Sequence, residues 1–340
     1  MSTRLAALLF LGGLALVFSP TVHGEVPLSR TERVLWTTCT ITLYDHPSEG
    51  ALASCFDRLH EIERRMGTGV PGSEVEAINA AAGKQAVPVS DDLFFLTGKA
   101  LSVARLSGGL FDLTVGPLIE AWRMNRDSPD IPPKKQIVGA LALIDWHDVV
   151  RDEKAKTIFL KRPSMRLDLG GFVKGYAADE TVRILSGYGV TSALIDLGGN
   201  IFAMGTSPSG SPWKIGIQSP DQARGVFLAI VQVTGGSVVT AGVYEHYFVK
   251  KGRRYHHIMD IRSGFPVENG LLSVTVIADT STDADAFDTA LLVMGKTHGL
   301  RLAEKLGLNV VMVDDHHRVW VTPGTKRILT ITDPTYSYAN

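Results

Sequence analysis

The sequence predicts an α+β fold in which helices flank mixed and antiparallel sheets and two lobes are intertwined along the chain. Three observations lead to this prediction. Several segments carry apolar residues at helical spacing, the longest at residues 48–66, 90–106 and 172–187. Residues 213–249 form short β-rich segments separated by glycine, proline and serine. No internal repeat or flexible linker divides the chain, so the lobes are not expected to be separate domains.

The first half is predicted to alternate strands and helices. A strand rich in Thr, Val and Ile covers residues 34–44 and precedes the helix at 48–66. A short helix is expected to begin near Ser73, and Ser90 is expected to cap the helix after it, because a serine side chain satisfies free N–H groups at a helix start. The remaining elements predicted here are short helices after Pro117 and after Pro132-Pro133, a hairpin from residues 149–150 and 157–160, and a strand at 165–168.

The second half is predicted to be richer in strands. The helix at residues 172–187 leads to a strand at 192–196, and the β-rich segments that follow are expected to form a meander. The remaining elements are a strand at 271–277, a helix that begins with an acidic cluster, a second helix that ends near Leu306, and a strand at 309–313.

Composition excludes some classes of function. The chain has 340 residues, of which 45% are hydrophobic, enough to bury a substantial core. Its 34 Lys and Arg residues nearly balance 35 Asp and Glu residues, without a basic block. A near-neutral chain of this kind is not predicted to bind nucleic acid as its main partner.

The N-terminus resembles a cleaved secretory signal. Arg4 supplies a positive charge, residues 5–18 are apolar, and cleavage is expected after Gly24. The apolar stretch is shorter than the roughly 20 residues that span a bilayer, so no membrane span is predicted in the mature chain. This segment contains no cysteine, so a lipoprotein is not expected. We therefore predict a periplasmic protein with one mature domain at residues 25–340.

The chain has two cysteines, Cys39 and Cys55. In an oxidising compartment they could form a disulfide. Their spacing matches no metal-binding pattern, and we expect two separate, buried thiols.

The acidic helix start at residues 282–289 is the clearest candidate metal site. Positions i, i+3 and i+4 share a helix face, so Asp285, Asp288 and Thr289 can converge on one point. Carboxylate and hydroxyl oxygens suit Mg²⁺. The alternative is N-terminal capping, with Ser281 or Thr282 as the cap. Capping accounts well for Asp283 but poorly for the acids deeper in the helix.

Residues 167–175 form a second candidate site, a strand end, a glycine turn and a helix start. Backbone N–H groups in such a turn can face a phosphate, and Lys174 lies in the first helical turn. The alternative is a plain turn in which Asp168 caps the helix and Lys174 is solvated. The segment does not match the dinucleotide pattern G-x-G-x-x-G.

Three further segments carry polar residues with a structural alternative. Asp112 lies between two predicted helices and could cap the second one. The glycine turn at residues 196–200 is expected to shape a tight strand connection. His256 and His257 are adjacent in a β-rich region, so they should face opposite sides and are unlikely ligands of one metal ion. One of them could move a proton.

Taken together, these segments resemble the ApbE-type FAD:protein FMN transferase family, also called flavin-trafficking proteins. The resemblance covers nearly all of the mature chain and implies an ApbE-like fold with a T-fold-related core. It rests on segments in the family's order, at residues 73–79, 109–117, 167–179, 255–266 and 273–295.

The resemblance implies a Mg²⁺-dependent enzyme that splits FAD, transfers FMN to a Thr or Ser hydroxyl of a partner protein and releases AMP. Acceptors would be exported or membrane-bound redox subunits. By position in the family's pattern, Asp285, Asp288, Thr289 and the main-chain carbonyl of Gly171 would bind Mg²⁺.

The same resemblance assigns contacts with FAD and a role in catalysis. The residues that would contact FAD are Trp36, Leu110, Phe111, Asp112, Asp168, Lys174 and Met259. His257 matches a histidine proposed to assist the chemistry, so the acceptor proton would go to His257 or Asp288.

The chain departs from the family's pattern at three places. The loop at residues 67–71 lacks an aromatic residue common in members that retain flavin, Ala241 replaces a serine, and Ile261 replaces a proline. The altered loop leaves two alternatives open: a Mg²⁺-dependent FAD pyrophosphatase that releases FMN and AMP, and a flavin-binding protein without catalytic activity.

Overall fold

The structure, a computed structural model, describes residues 26–123 and 129–339. The predicted signal peptide, residues 1–24, lies outside the described residues, as does its predicted cleavage site. Among the residues described, no helix is both long enough and apolar enough to cross a membrane.

The chain forms seven α-helices and nineteen strands within the described ranges. The helices are α1 (Glu49–Met66), α2 (Glu74–Ala80), α3 (Asp91–Leu106), α4 (Gly116–Trp122), α5 (Lys134–Leu141), α6 (Val173–Gly187) and α7 (Ser281–Leu306). The strands are β1 (Leu28–Val34), β2 (Thr37–Leu43), β3 (Val87–Pro88), β4 (Val149–Asp152), β5 (Thr157–Leu160), β6 (Ala193–Leu197), β7 (Ile201–Met204), β8 (Trp213–Gln218), β9 (Phe227–Val233), β10 (Gly236–Gly242), β11 (Tyr247–Lys250), β12 (Arg253–His256), β13 (Met259–Asp260), β14 (Phe265–Pro266), β15 (Leu271–Ala278), β16 (Asn309–Asp314), β17 (Arg318–Val321), β18 (Leu329–Ile331) and β19 (Ser337–Tyr338).

A nine-stranded sheet forms the centre of the fold, in the order β1-β2-β6-β7-β10-β15-β16-β17-β19. Its neighbouring strands are antiparallel, except for the parallel edge pair β17 and β19. The smaller sheets are β18-β9-β8, β3-β5-β4, β11-β12 and β13-β14. The prediction of an α+β fold with mixed and antiparallel sheets is confirmed. The predicted meander at residues 213–249 is wrong, because β10 leaves β8 and β9 to join the central sheet.

The two faces of the central sheet pack against different layers. Strand β16 shows the alternation: Val310 and Met312 join the core formed with α1, α6 and α7, whereas Val311 and Val313 join a second core against β8, β9 and β18. This period of two follows from the pleat of a strand. A third, smaller core around Trp122 joins α4 and α5 to the β11-β12 hairpin.

The predicted strand at residues 34–44 is a hairpin rather than one strand. Val34 pairs with Thr37, and the two residues between them have left-handed backbones, with φ of 55° at Leu35 and 60° at Trp36. Such turns usually contain Asn or Gly. Here Leu35 is buried in the main core, 2% exposed, and this burial offsets the strained turn.

Most helix boundaries agree with the sequence. Ser48, Ser73 and Ser90 each accept a hydrogen bond from a backbone N–H of the helix that follows, as expected for caps. The predicted break in the acidic helix is a kink within α7 at Gly295, where φ is 75°. Its cap is Thr280, so the predictions of Ser281 or Thr282 were wrong.

Two smaller predictions have opposite outcomes. The hairpin at residues 149–150 and 157–160 is confirmed as β4 and β5. The prediction of a strand at 165–168 is wrong, since the segment makes only an isolated bridge between Arg166 and Val115.

Cys39 and Cys55 are both free and buried, as predicted.

Candidate active site

Helix α7 begins with two almost completely buried acids. Asp285 and Asp288 are each 3% exposed. Asp283 is bound elsewhere: its carboxylate accepts a hydrogen bond from the Thr280 hydroxyl (2.8 Å) and pairs with the Lys99 ammonium (2.9 Å). Asp283 therefore belongs to the helix cap, as the sequence indicated, and the two buried acids are available for another purpose.

Helix α6 crosses the start of α7 at very short range. The Gly175 N–H donates to Asp285 Oδ2 at 2.8 Å. A Cβ atom on Gly175 would lie 2.4 Å from the Ser281 carbonyl oxygen and 2.7 Å from Asp285 Cβ. Only glycine allows this approach, and the approach fixes the Asp285 carboxylate against the first turn of α6.

Thr289 and Gly171, the other two predicted metal ligands, lie near each other beside Asp288. Asp288 Oδ1 accepts hydrogen bonds from the Thr289 N–H and from the Thr289 hydroxyl, the latter at 3.0 Å. A Cβ built on Gly171 would lie 3.8 Å from Thr289 Oγ1. The structure thus brings the turn before α6 to the acidic face of α7, as the predicted metal site requires.

Burial and the positive charge of Lys174 shift the pKa values of this acidic pair in opposite directions. Burial raises the pKa of Asp285, and burial together with the Asp285 charge raises the pKa of Asp288 well above its usual range. The nearby Lys174 ammonium lowers both pKa values. Lys174, which is half-buried, is therefore a nearby positive charge for both acids.

The Asp168 turn leaves the start of α6 without a side-chain cap. Asp168 Oδ1 accepts a hydrogen bond from the Gly170 N–H at 2.8 Å, within its own turn. The capping residue of α6 is Phe172, which makes no side-chain cap bond. The alternative in which Asp168 caps this helix is therefore wrong. Burial raises the pKa of Asp168, and Arg166 partly opposes that shift.

The loop before α4 supplies an aromatic side chain beside this turn. Phe111 packs edge-on against Phe172, with ring centroids 5.3 Å apart, and both Phe111 and Leu110 are partly buried. Asp112 does not cap the next helix. Its oxygens accept from the Thr114 N–H and hydroxyl and from the Trp146 N–H. Burial raises the pKa of Asp112, and its direct contact with FAD stays a prediction.

The two adjacent histidines face different surroundings, as their strand position predicts. His256 is 5% exposed, its Nε2 lies 3.0 Å from the Val267 carbonyl, and the Ile258 N–H donates to its Nδ1. Both of its nitrogens are therefore used in the fold. His257 lies against His246, and its Nδ1 is 3.3 Å from the His246 carbonyl oxygen. Burial lowers the pKa of His257 to about 3, so His257 is neutral near pH 7.

The remaining two predicted FAD contacts lie in different settings. Met259 is 5% exposed and packs in the third core, around Trp122. Trp36 is 55% exposed at the tip of the first hairpin. A Cβ on Gly67 would lie 2.7 Å from Trp36 Cζ2, so the indole covers the loop that lacks its own aromatic residue. Their contacts with flavin stay predictions.

Sequence reasoning missed two residues at this site. Asp179, on α6, accepts hydrogen bonds from the first N–H groups of α7. Asn200 is 1% exposed, and its Oδ1 accepts from the Ser281 hydroxyl at 2.6 Å. The sequence did contain a signal for Asp179: it lies four residues after Gly175 and therefore on the same face of the helix. For Asn200, the turn at residues 196–200 was interpreted only as a strand connection.

The donor set fits a hard divalent cation. Across residues 26–123 and 129–339, no group of three or more His, Cys, Asp and Glu side chains is arranged to hold a metal ion. The predicted site instead combines two carboxylates with the Thr289 hydroxyl and the Gly171 carbonyl, all oxygen atoms, as Mg²⁺ prefers. A cation there would offset the repulsion that raises the pKa of Asp288.

Comparison with solved structures defines the class of protein. The fold is that of the ApbE flavin transferases. It matches the ApbE protein of Thermotoga maritima with a TM-score of 0.83 and 28% identity, covering 89% of this chain and 99% of that one. It matches the flavin transferase ApbE of Vibrio cholerae with a TM-score of 0.82 and 26% identity, covering 90% and 99%.

The sequence comparisons then identify the family. Residues 35–312 match the ApbE family, and the chain belongs to it. It is 38% identical to an FAD:protein FMN transferase of Klebsiella pneumoniae, over 76% of this chain and 80% of the relative. It is 34% identical to an FAD:protein FMN transferase of Treponema pallidum, over 87% of each.

Proposed function

We propose that this chain is a Mg²⁺-dependent FAD:protein FMN transferase. It would move FMN from FAD to a Thr or Ser hydroxyl of an acceptor protein and release AMP. The observation that carries the proposal is the meeting of Asp285, Asp288 and Thr289 with the Gly171 turn, in a chain whose relatives bear this activity by name.

The reaction is a phosphoryl transfer. The acceptor hydroxyl oxygen forms a bond to the FMN phosphorus of FAD, the bond from that phosphorus to the bridging oxygen breaks, and AMP leaves with that oxygen. The hydroxyl proton passes to a base on the enzyme. When bound, Mg²⁺ would neutralise charge on the diphosphate. The protein's own contribution is to position the substrate and stabilise developing negative charge.

Several side chains are suited to hold FAD. Lys174 brings a positive charge to the acidic pair, where a diphosphate would also lie. The positive end of the α6 dipole favours an anion beside this turn, although the Gly175 N–H already donates to Asp285. Phe111, beside Gly171, and the exposed Trp36 offer apolar faces to an aromatic ring.

The proton acceptor is His257 or Asp288, and the two differ in environment. His257 is neutral at pH 7, and when its Nδ1 donates to the His246 carbonyl, Nε2 is the nitrogen that accepts a proton. Burial raises the pKa of Asp288, whereas it lowers that of His257, so the two groups would accept a proton over different pH ranges. Transfer rates of His257→Gln and Asp288→Asn across pH would separate them.

We further propose that the protein is exported with cleavage after Gly24 and acts in the periplasm on exported or membrane-bound redox proteins. The sequence of the N-terminal segment supports this proposal. N-terminal sequencing of the protein purified from the periplasm would test it. A mature chain that begins elsewhere, or a protein retained in the cytoplasm, would contradict it.

One transfer assay tests the activity. The mature chain is incubated with FAD, Mg²⁺ and a candidate acceptor domain, and covalent flavin is detected by fluorescence of the acceptor band in a denaturing gel. Asp288→Ala should lower transfer about 100-fold or more, since loss of groups that merely support a metal ligand already costs about 10- to 100-fold. Asp283→Ala is the matched control, because this acid belongs to the helix cap, and it should retain transfer.

The same reactions discriminate the alternatives. Free FMN and AMP without any acceptor would indicate the FAD pyrophosphatase. FAD binding without turnover, in the presence of several acceptors, would indicate a flavin-binding protein. Equal activity of the Asp288→Ala and Asp283→Ala variants would refute the proposed site.

A further inference from the structure

Asp179 joins two helices that are distant in sequence. It lies on α6, and its Oδ1 accepts the Ser281 N–H at 2.7 Å. Its Oδ2 accepts the Thr282 N–H at 2.9 Å and the Thr282 hydroxyl at 2.6 Å. These N–H groups are the first two of α7 and have no acceptor within their own helix. Asp179 thus bonds directly to the first turn of the helix that carries the acidic pair.

This contact is the second point at which α6 holds α7. Gly175 donates its N–H to Asp285, and Asp179 follows four residues later. Residues four apart lie on the same helix face, so one face of α6 makes both contacts. Each contact fixes a different turn of α7, and together they limit both sliding and rotation of α7 against α6.

The predicted metal donors come from both sides of this contact. The Gly171 carbonyl lies just before α6, whereas Asp285, Asp288 and Thr289 lie on α7. No hydrogen bond within either helix determines the distance between these groups. That distance depends on how α6 and α7 are placed relative to each other.

We infer that Asp179 is a positioning residue for the divalent-cation site, which it serves by holding the first turn of α7 in register with α6. The inference rests on the proposed function for the metal donors themselves. The hydrogen bonds that Asp179 accepts come from Ser281 and Thr282, and neither residue is among the predicted metal ligands. Its effect passes through Ser281 and Thr282 to the acids one turn further along.

The competing explanation is that Asp179 only stabilises the end of α7. A Thr280 variant can separate the two explanations. Thr280 caps the same helix, since its hydroxyl accepts the Asp283 N–H at 3.3 Å. Loss of either cap should lower stability, by about 1 kcal/mol for Thr280. Only loss of Asp179 should loosen α7 from α6.

The test measures metal binding without turnover. Mn²⁺ serves as a paramagnetic substitute for Mg²⁺, and its free concentration is followed by electron paramagnetic resonance in a titration of the mature chain without FAD. Asp179→Asn keeps the side-chain volume but replaces one acceptor oxygen with a donor that faces an N–H group. It should weaken Mn²⁺ binding about tenfold, the lower end of the range for residues that orient metal ligands.

Thr280→Ala is the matched control and should bind Mn²⁺ like the wild type, although its thermal midpoint falls. If Asp179→Asn fails to fold, Thr282→Ala provides a milder variant that loses only the hydroxyl contact, and a smaller weakening is expected. Wild-type affinity in the folded Asp179 variant, or equal weakening by Thr280→Ala, would overturn the inference. A wild-type chain that binds no Mn²⁺ would overturn the metal site and the inference together.

Discussion

The close approach of α6 and α7 makes Gly175→Ala a sharp test of how this site is built. A Cβ at this position would meet the Ser281 carbonyl oxygen at 2.4 Å and Asp285 Cβ at 2.7 Å, whereas ordinary contact begins near 3.4 Å. The two helices must therefore separate by about 1 Å. The 2.8 Å hydrogen bond from Gly175 to Asp285 would then exceed bonding distance.

The expected cost follows from the lost bond and the overpacking. A hydrogen bond to a charged group contributes about 1.5–3 kcal/mol, and a methyl group forced into a packed contact costs about 1–3 kcal/mol. The better helix propensity of alanine returns up to about 1 kcal/mol. The net loss in the free energy of unfolding should be about 3 kcal/mol, accompanied by weaker Mn²⁺ binding.

Urea denaturation and Mn²⁺ titration of the variant measure the two effects. Gly187→Ala is the matched control, since it lies at the end of the same helix with no atom within 4 Å of the added methyl group. It should be neutral or stabilise by up to about 1 kcal/mol. Wild-type stability and wild-type Mn²⁺ affinity in Gly175→Ala would refute the close contact as described.

Three further predictions concern separate parts of the molecule. His256→Ala should lower the thermal midpoint, because both ring nitrogens are used in the fold. His257→Ala should lower it less and slow FMN transfer; equal midpoint losses would contradict this division. Trp36→Gly should weaken FAD binding in a fluorescence titration, because it removes the exposed indole; unchanged affinity would exclude the flavin contact. Burial raises the pKa of Cys39 and of Cys55 to about 12. Iodoacetamide at about pH 8 should therefore label neither thiol in the folded chain but both in urea. Labelling of the folded chain would contradict their burial.

Features with local causes were predictable from the sequence. The Ser90 cap of α3 and the helix starts near Ser48 and Ser73 were predictable, because a cap and its N–H partner lie only three residues apart. The different uses of Asp283 and Asp288 were also predicted, since helical periodicity alone separates a first-turn acid from one on the next turn. The cap of α7 was placed one or two residues too late, because Thr280, Ser281 and Thr282 are all residues that can cap a helix.

Features that depend on distant contacts were not predictable. Asp179 bonds to residues 102 and 103 positions further along the chain. The Leu35-Trp36 turn contains neither glycine nor asparagine, and its conformation is favoured by burial of Leu35 in a core assembled from several helices and strands. The resemblance to a family supplied the predicted metal ligands, and the packing of α6 on α7 places the Gly171 turn beside Asp285 and Thr289.

The charges at this site predict that FAD and Mg²⁺ bind cooperatively. Asp285 and Asp288 carry two negative charges when ionised, against the single positive charge of Lys174, and burial opposes their ionisation. When both acids are ionised, a diphosphate would therefore meet net negative charge in the metal-free site. A divalent cation would reverse that sign, so FAD affinity should rise with Mg²⁺ concentration and Mg²⁺ affinity should rise equally with FAD, because the coupling is reciprocal. FAD affinity that does not depend on Mg²⁺ would mean that the diphosphate lies away from the acidic face of α7.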